Sequence, residues 1–309
     1  MSFKTSNPLN VSVIMGGTSL EREISLESGS AVAEALRQAG HQVAEIDLQS
    51  NALPAIPAES DCVFPVLHGE FGEDGQIQKL LENANIIYVG CDSKASDLLM
   101  DKNQTAQAAE ANSIRMPKGI TLTDKSADFP DGFTLPVIVK PARQGSSFGL
   151  SLVKDLRDWN SALENVFQTD DAVIVQEFID GTEIAVGVVL NEAMPVVEII
   201  PPGDLFDLDA KYAHENGHTE YNCPPKRLSE EIQSTAQKEA VKCYNVFNCR
   251  DMTRMDFIIR GEEIFFIEGN TIPGFTASSL LPKSAAVAGF SFPELCDRLV
   301  QAACKRKGM

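Results

Sequence analysis

Near its start the chain repeats a unit with few possible folds: a short apolar run, a glycine stop, then an amphipathic stretch closed by another glycine. The run at 11–15, VSVIM, ends at Gly16-Gly17, and Ile24, Ala31, Val32, Ala35, Leu36 and Ala39 then recur at helical spacing before Gly40. Such a strand and helix cannot bury their apolar faces alone; they need parallel neighbours reached through helical crossovers. Gly40 suits the left-handed position that closes a helix. Apolar runs at 42–47, 61–67 and 86–89, with a helix at 75–84, extend the pattern. A small α/β domain with a doubly wound parallel sheet is expected over residues 1–98.

Past a helix at 102–112 the pattern changes to strands joined by glycine-containing turns, the mark of antiparallel sheets. PVIVKPARQGSSFGLSLV holds two strands around a Gly and Ser loop. Leu156, Trp159, Leu163, Val166 and Phe167 form a helical stripe, followed by strands at 173–177, 183–190 and 196–200. A polar stretch at 201–225 is too long for an ordinary connection in a compact domain and reads as either functional or disordered. An amphipathic helix through Ile232, Ala236, Ala240, Cys243, Tyr244 and Phe247 leads to a hairpin, 255–260 and 264–268 around Gly261, and two closing helices. The expected units are 1–98, 99–182 and 183–309.

With 309 residues and 43% hydrophobic content the chain can build two or three compact units. A formal charge of −18 excludes a polyanion-binding surface, so no nucleic-acid partner is expected. The N-terminal residues lack an apolar secretory core, and no run approaches the ~20 apolar residues of a membrane span. The seven cysteines are scattered without metal-knuckle spacing, so they read as reduced core residues of a cytoplasmic protein.

Three clusters carry chemistry. The first is Arg254 and Asp256 in TRMDF, with Glu268 and Asn270 in EGNTIPGFT. A spacing of two along a strand puts side chains on one face, and hard oxygen groups suit Mg²⁺ shared with phosphates. An ordinary salt bridge from Arg254 explains the same residues equally well. The second is Lys140, which ends an apolar strand beside the loop ARQGSSFG, whose N–H groups can meet phosphate oxygens. A plain hairpin turn is its alternative. Neither the P-loop nor the GxGxxG fingerprint is present. The third is Glu21 in GGTSLERE, at the carboxyl end of a strand where open α/β sheets bind ligands, or else simply a helix cap. HGEFGEDG, with His68, lies at the same sheet edge.

Taken in order, GGTSLEREIS, LHGEFGEDG, MDK at 100–102, VIVKPARQGSSFG, AKY at 210–212, TRMDF and GNTIPGFT resemble the D-alanine:D-alanine ligase family of the ATP-grasp fold. The resemblance spans nearly the whole chain. It implies an α/β chain with α+β elements, in which a two-part grasp fold of antiparallel sheets follows the N-terminal domain. It also implies an ATP-dependent ligase that makes D-alanyl-D-alanine for peptidoglycan through an acyl phosphate.

By the same resemblance Lys102, Lys140, Ser146 and Ser147 hold ATP phosphates, Lys211 reaches the γ-phosphate, Glu177, Phe178 and Ile179 line the adenine, and Glu183 holds the ribose. Gln176 stands where relatives often carry glutamate. Asp256, Glu268 and Asn270 match ligands of two Mg²⁺ or Mn²⁺ ions. Arg254 and the Gly274 N–H match an oxyanion site, and Ser279 and Leu280 match the second amino acid's carboxylate site. Glu21, linked through Ser146 to Tyr212, matches the first amino acid's site, with His68 nearby. Ile272 replaces a serine common in relatives. Tyr212 favours a dipeptide over a D-lactate product, with a ligase for D-lactate, D-serine or another acceptor, or an inactive nucleotide-binding relative, as the rivals. A homodimer is the implied assembly.

Overall fold

In the computed structural model residues 3–145, 149–201 and 219–306 are described. The first sheet has the order β2-β1-β3 and is parallel, built from β1 (Asn10–Gly16), β2 (Gln42–Leu48) and β3 (Cys62–Pro65). Side-chain alternation along β1 dictates its two covers. Val11, Val13 and Met15 pack on α1 (Arg22–Ala39) and on the last helix, while Ile14 packs with Leu67, Ile77 and Leu81 beneath α2 (Gln76–Asn83). Both faces are thus buried, as a parallel sheet requires. Gly40 adopts φ 110° and closes α1 as expected.

The expected fourth strand at 86–89 is reduced to one parallel bridge, Val63 to Tyr88. The chain there bends toward Gly90 and then enters α3 (Ser93–Met100), an eight-residue helix capped by Asp92 that the apolar pattern did not reveal. Asp101 caps α4 (Lys102–Ala111) immediately afterwards, accepting from the N–H groups of Asn103 and Gln104.

The second sheet has the order β4-β7-β5-β6, all pairs antiparallel, from β4 (Gly119–Leu122), β5 (Val137–Pro141), β6 (Ser151–Val153) and β7 (Val173–Glu177). Val137, Val139, Val173 and Val175 bury one face against Trp159, Leu163 and Val166 of α5 (Trp159–Val166). By alternation Ile138, Lys140, Ile174 and Gln176 occupy the opposite face.

The third sheet runs β11-β10-β8-β12-β13, with β9 (Glu192–Ala193) beside β8. Its strands are β8 (Thr182–Val189), β10 (Val197–Ile200), β11 (Glu220–Asn222), β12 (Met252–Arg260) and β13 (Glu263–Asn270). Ile184, Val186, Val188, Met255, Phe257 and Phe266 cover one face with α6 (Glu230–Val246). β11 falls inside the stretch expected to be loop through residue 225. Its polar residues carry no strand signal, and it exists because the β10 edge offers open backbone groups to pair. α7 (Leu280–Val287) and α8 (Phe292–Lys305) end the chain, and α8 lies on α1. Every described cysteine is a free thiol, as the sequence pattern suggested.

Candidate active site

The second and third sheets face each other across a cleft lined by Ile138, Lys140, Gln176, Glu183, Asp256 and Glu268. One wall comes from β5 and β7. Lys140 is 6% exposed, and Ile138 pairs directly with Gln176 one rung along. Lys102 joins Lys140 because its main-chain N–H donates to Ala142 O (3.0 Å) and its Nζ to Gln144 O (2.5 Å). That is what the MDK sequence accomplishes: aspartate caps the helix, and the lysine after it is delivered to the cleft. Burial and the Lys102 charge together lower the Lys140 ammonium to about 8, against a smaller opposing pull from Glu268.

The facing wall is the β12-β13 hairpin. Arg254 pairs with Asn270 and Asp256 with Glu268 across the ladder, so all four side chains share a face. A bulge after Asp256 makes this work. Glu268 and Phe266 are two residues apart and would normally share a face, but the extra residue, Ile267, sends Phe266 into the core opposite Phe257 while Glu268 stays in the cleft. Gly187, beside Arg254 on β8, admits α7 close to the sheet, since a Cβ there would meet Leu281 Cγ at 3.0 Å. Glu183, Glu177, Phe178 and Ile179 line the cleft as well.

Arg254 grips Asp256 with two bonds of 2.8 Å, from Nε and from a terminal nitrogen, and Asn270 donates to the same carboxylate at 3.2 Å. The salt bridge that the sequence allowed for Arg254 is therefore present, with Asn270 on the same carboxylate. Asp256 Oδ2 takes both the second arginine bond and the Asn270 bond, so Oδ1 is the oxygen that keeps a lone pair beyond its arginine bond, and with Glu268 and the Asn270 carbonyl oxygen the donors are all hard oxygens. This set fits a divalent cation shared with phosphate oxygens. Asp256, Glu268 and Glu73 surround Arg254 and hold its guanidinium charged, far above the ordinary arginine value despite the burial.

The loops at the carboxyl ends of β1 and β3 bring the remaining groups. The Ser25 hydroxyl accepts from Gly16 N–H (2.9 Å) and donates to Val66 O (2.5 Å), tying both strand ends to α1. Glu21 sits at the start of α1 but makes no capping bond; its carboxylate lies close to Gly69. His68 is buried, with Nδ1 donating to Ile272 O (3.1 Å) and standing 3.6 Å from Glu73. Burial raises the Glu73 carboxyl, only partly offset by His68, and Glu21 pushes it further up.

Glu73 and Gln144 were not singled out from the sequence, although both lie in quoted motifs. Side-chain identity could not show that Glu73 turns inward while Glu70 is exposed. At the far end Ser279 precedes α7, its Oγ accepting from Thr276 N–H (3.0 Å) and lying in contact range of Gly274, with Leu280 next along. Ser146, Ser147, Lys211 and Tyr212 lie outside the described residues.

Two family models match the chain: the D-ala D-ala ligase C-terminus over residues 106–301 and the D-ala D-ala ligase N-terminus over residues 48–91. The D-alanine–D-alanine ligase of Syntrophotalea carbinolica is 38% identical over 302 residues, covering 96% of this chain and 97% of the relative. The chain belongs to the D-alanine:D-alanine ligase family. A further ligase of this name, from Aquifex aeolicus, is 38% identical over 94% of this chain and all of its own length. The crystal structure of the Bacillus anthracis D-alanine–D-alanine ligase complexed with ATP superposes with a TM-score of 0.83 at 29% identity, covering 97% of this chain and 100% of that one. The VanG D-Ala:D-Ser ligase of Enterococcus faecalis is also similar, with a TM-score of 0.80 at 29% identity over 96% of this chain and 100% of its own. The backbone alone therefore accommodates ligases of different acceptor choice. No helix among the described residues is long and apolar enough to cross a membrane.

Proposed function

We propose that this ligase consumes ATP to join two D-alanine molecules into D-alanyl-D-alanine, releasing ADP and phosphate, in the cytoplasm and as a homodimer. One observation carries the reading: two lysines on one wall of the cleft share it with Asp256 and Glu268 on the other, which Arg254 and Asn270 flank on the same hairpin face. A polyphosphate fits between them, with the ammonium groups on one side and carboxylates able to hold bridging cations on the other.

Mg²⁺ or Mn²⁺ held by Asp256, Glu268 and Asn270 would screen the phosphate charge against the attacking carboxylate. Lys102 and Lys140 hold the outer phosphates in line, with Lys211 as the further lysine. Attack by the carboxylate of the first D-alanine on the γ-phosphate yields ADP and an acyl phosphate. Glu21 and the buried His68–Glu73 pair orient that substrate, Glu21 on its ammonium. The amine of the second D-alanine, held at Ser279 and Leu280, then attacks the carbonyl and phosphate leaves. Arg254 and the Gly274 N–H receive the developing oxyanion, a role whose loss typically costs about 3 kcal/mol of barrier. Ser146 and Tyr212 belong to the same reading, as the link from Glu21 that shields the acyl phosphate from water.

The test is phosphate release requiring both ATP and D-alanine, with the product identified by mass spectrometry in the presence of D-lactate and D-serine. D-Alanyl-D-alanine is the expected product. Glu268→Ala should cut kcat on the order of 100-fold or more, the scale of losing a charge-stabilising group. Unchanged turnover in that variant would falsify the cation assignment.

A further inference from the structure

The core around the first sheet holds two thiols that the ligase chemistry does not use. Cys62 opens β3, and Cys304 lies in the last turn of α8, whose apolar face enters the same core. Their sulfurs meet along one short stretch of backbone. The Cys304 thiol donates to the carbonyl of Asp61 (3.9 Å), the residue before Cys62, and the Cys62 thiol donates to the carbonyl of Val63 (3.5 Å), the residue after it. The two thiols are also in hydrogen-bond contact with each other. Residues from opposite ends of the chain thus bring two sulfurs within reach of one bond.

The partners are unequal. The bond from Cys62 holds the Cys304 thiol below its ordinary value, outweighing burial and the Asp61 charge, and Arg306 adds to the effect. The same contact, together with burial, pushes Cys62 well up, so Cys62 keeps its proton. Cys304 is the better nucleophile of the two. It is also the one nearer solvent, because the exposed Lys305 and Arg306 follow it at the end of the last helix, where a helical turn opens most readily.

We propose that Cys62 and Cys304 form a redox modification site, which hydrogen peroxide closes to a disulfide and thiol reductants reopen, stapling the last helix to β3. The Cys304 thiolate attacks one peroxide oxygen, the O–O bond breaks, and the departing hydroxide takes up the proton that Cys304 released, giving water. Cys304 is then a sulfenic acid. The Cys62 sulfur attacks it, the S–S bond forms as the S–O bond breaks, and the hydroxyl leaves with the Cys62 proton as a second water. Two electrons and two protons pass from the thiols to the peroxide. Closure requires only a short approach of sulfurs already in contact. In a reducing cytoplasm the resting pair is two thiols and closure is transient. Cys62 stands at the amino end of β3, whereas Glu21 and His68 follow the carboxyl ends of β1 and β3, so the staple acts on the core and lies away from the cleft.

The experiment treats the reduced, full-length protein with a small excess of hydrogen peroxide, alkylates the remaining thiols and maps the peptides by mass spectrometry without reduction, in the wild type, Cys62→Ser and Cys304→Ser. Expected in the wild type is a peptide pair joined through Cys62 and Cys304 that dithiothreitol separates. The melting temperature should rise by about 5 °C or more over the reduced protein, because the cross-link restricts the unfolded chain. Cys62→Ser should leave Cys304 as a sulfenic acid that dimedone captures, and Cys304→Ser should leave Cys62 a free thiol. A wild-type Cys304 that stays a thiol, or that reaches sulfinic acid with no cross-link, overturns the proposal. So does a cross-linked protein that melts no higher than the reduced one. Melting curves of the reduced variants establish that each is folded, and the wild-type peptide map needs neither of them.

Discussion

At the residue scale, Lys140 is the group whose chemistry the fold changes most. A lysine in water titrates near 10.4, and burial beside Lys102 brings it to about 8. Both influences disfavour the charged form, so a bound polyphosphate restores what burial removed and nucleotide binding takes up a proton. The sign follows: affinity is full below pH 8 and declines as pH rises above it. Calorimetric titration of a non-hydrolysable ATP analogue from pH 7 to 9.5 should show the dissociation constant rising toward tenfold per pH unit above about 8. Lys140→Arg, which stays charged throughout, should remove that inflection. A wild-type profile flat to pH 9.5 would show that the ammonium is not at the phosphates.

At the element scale, the approach of α1 to β1 positions Glu21, and Gly29 permits it. A glycine inside a helix is ordinarily a liability of about 1 kcal/mol against alanine. Here a Cβ would meet the Met15 Cβ at 2.4 Å, with the Met15 sulfur at 2.9 Å. Overpacking of this kind costs about 1–3 kcal/mol, which outweighs the gain in helix propensity. Gly29→Ala should therefore lower the melting temperature, and by displacing α1 it should also raise KM for D-alanine. A stabilised variant with unaltered kinetics would mean that the helix moves freely on the sheet.

At the scale of the whole molecule, the last helix completes the core around the first sheet. Leu295, Leu299, Val300 and Ala303 of α8 enter the same core as Val11, Val13, Val32 and Leu36. His41 fixes the join. Its Nδ1 accepts from Leu9 N–H (3.1 Å) and its Nε2 donates to Asp297 (3.0 Å), all buried. Asp297→Ala strands that donor and should cost about 1–3 kcal/mol by urea denaturation. Asp297→Asn, which keeps an acceptor, should recover much of it. Equal midpoints for wild type and alanine variant would show that the join contributes nothing.

The chain's local patterns determined the elements and their kind. Period-two and helical spacings are properties of consecutive residues, so the β1–α1 unit, the α6 stripe, the β12-β13 hairpin and its same-face oxygen groups were legible in the sequence. The resemblance carried by the motifs then named the family. What tertiary structure alone decided involves partners distant in sequence. The β11 pairing depends on an open β10 edge, the segment at 86–89 stops at one bridge, and Asp92 rather than an apolar stripe announces α3. The inward turn of Glu73 and the bulge at Ile267 that keeps Glu268 facing the lysines are likewise outcomes of packing. Burial and charge act through space, and only the folded chain brings Lys102, Lys140 and Glu268 close enough to alter one another.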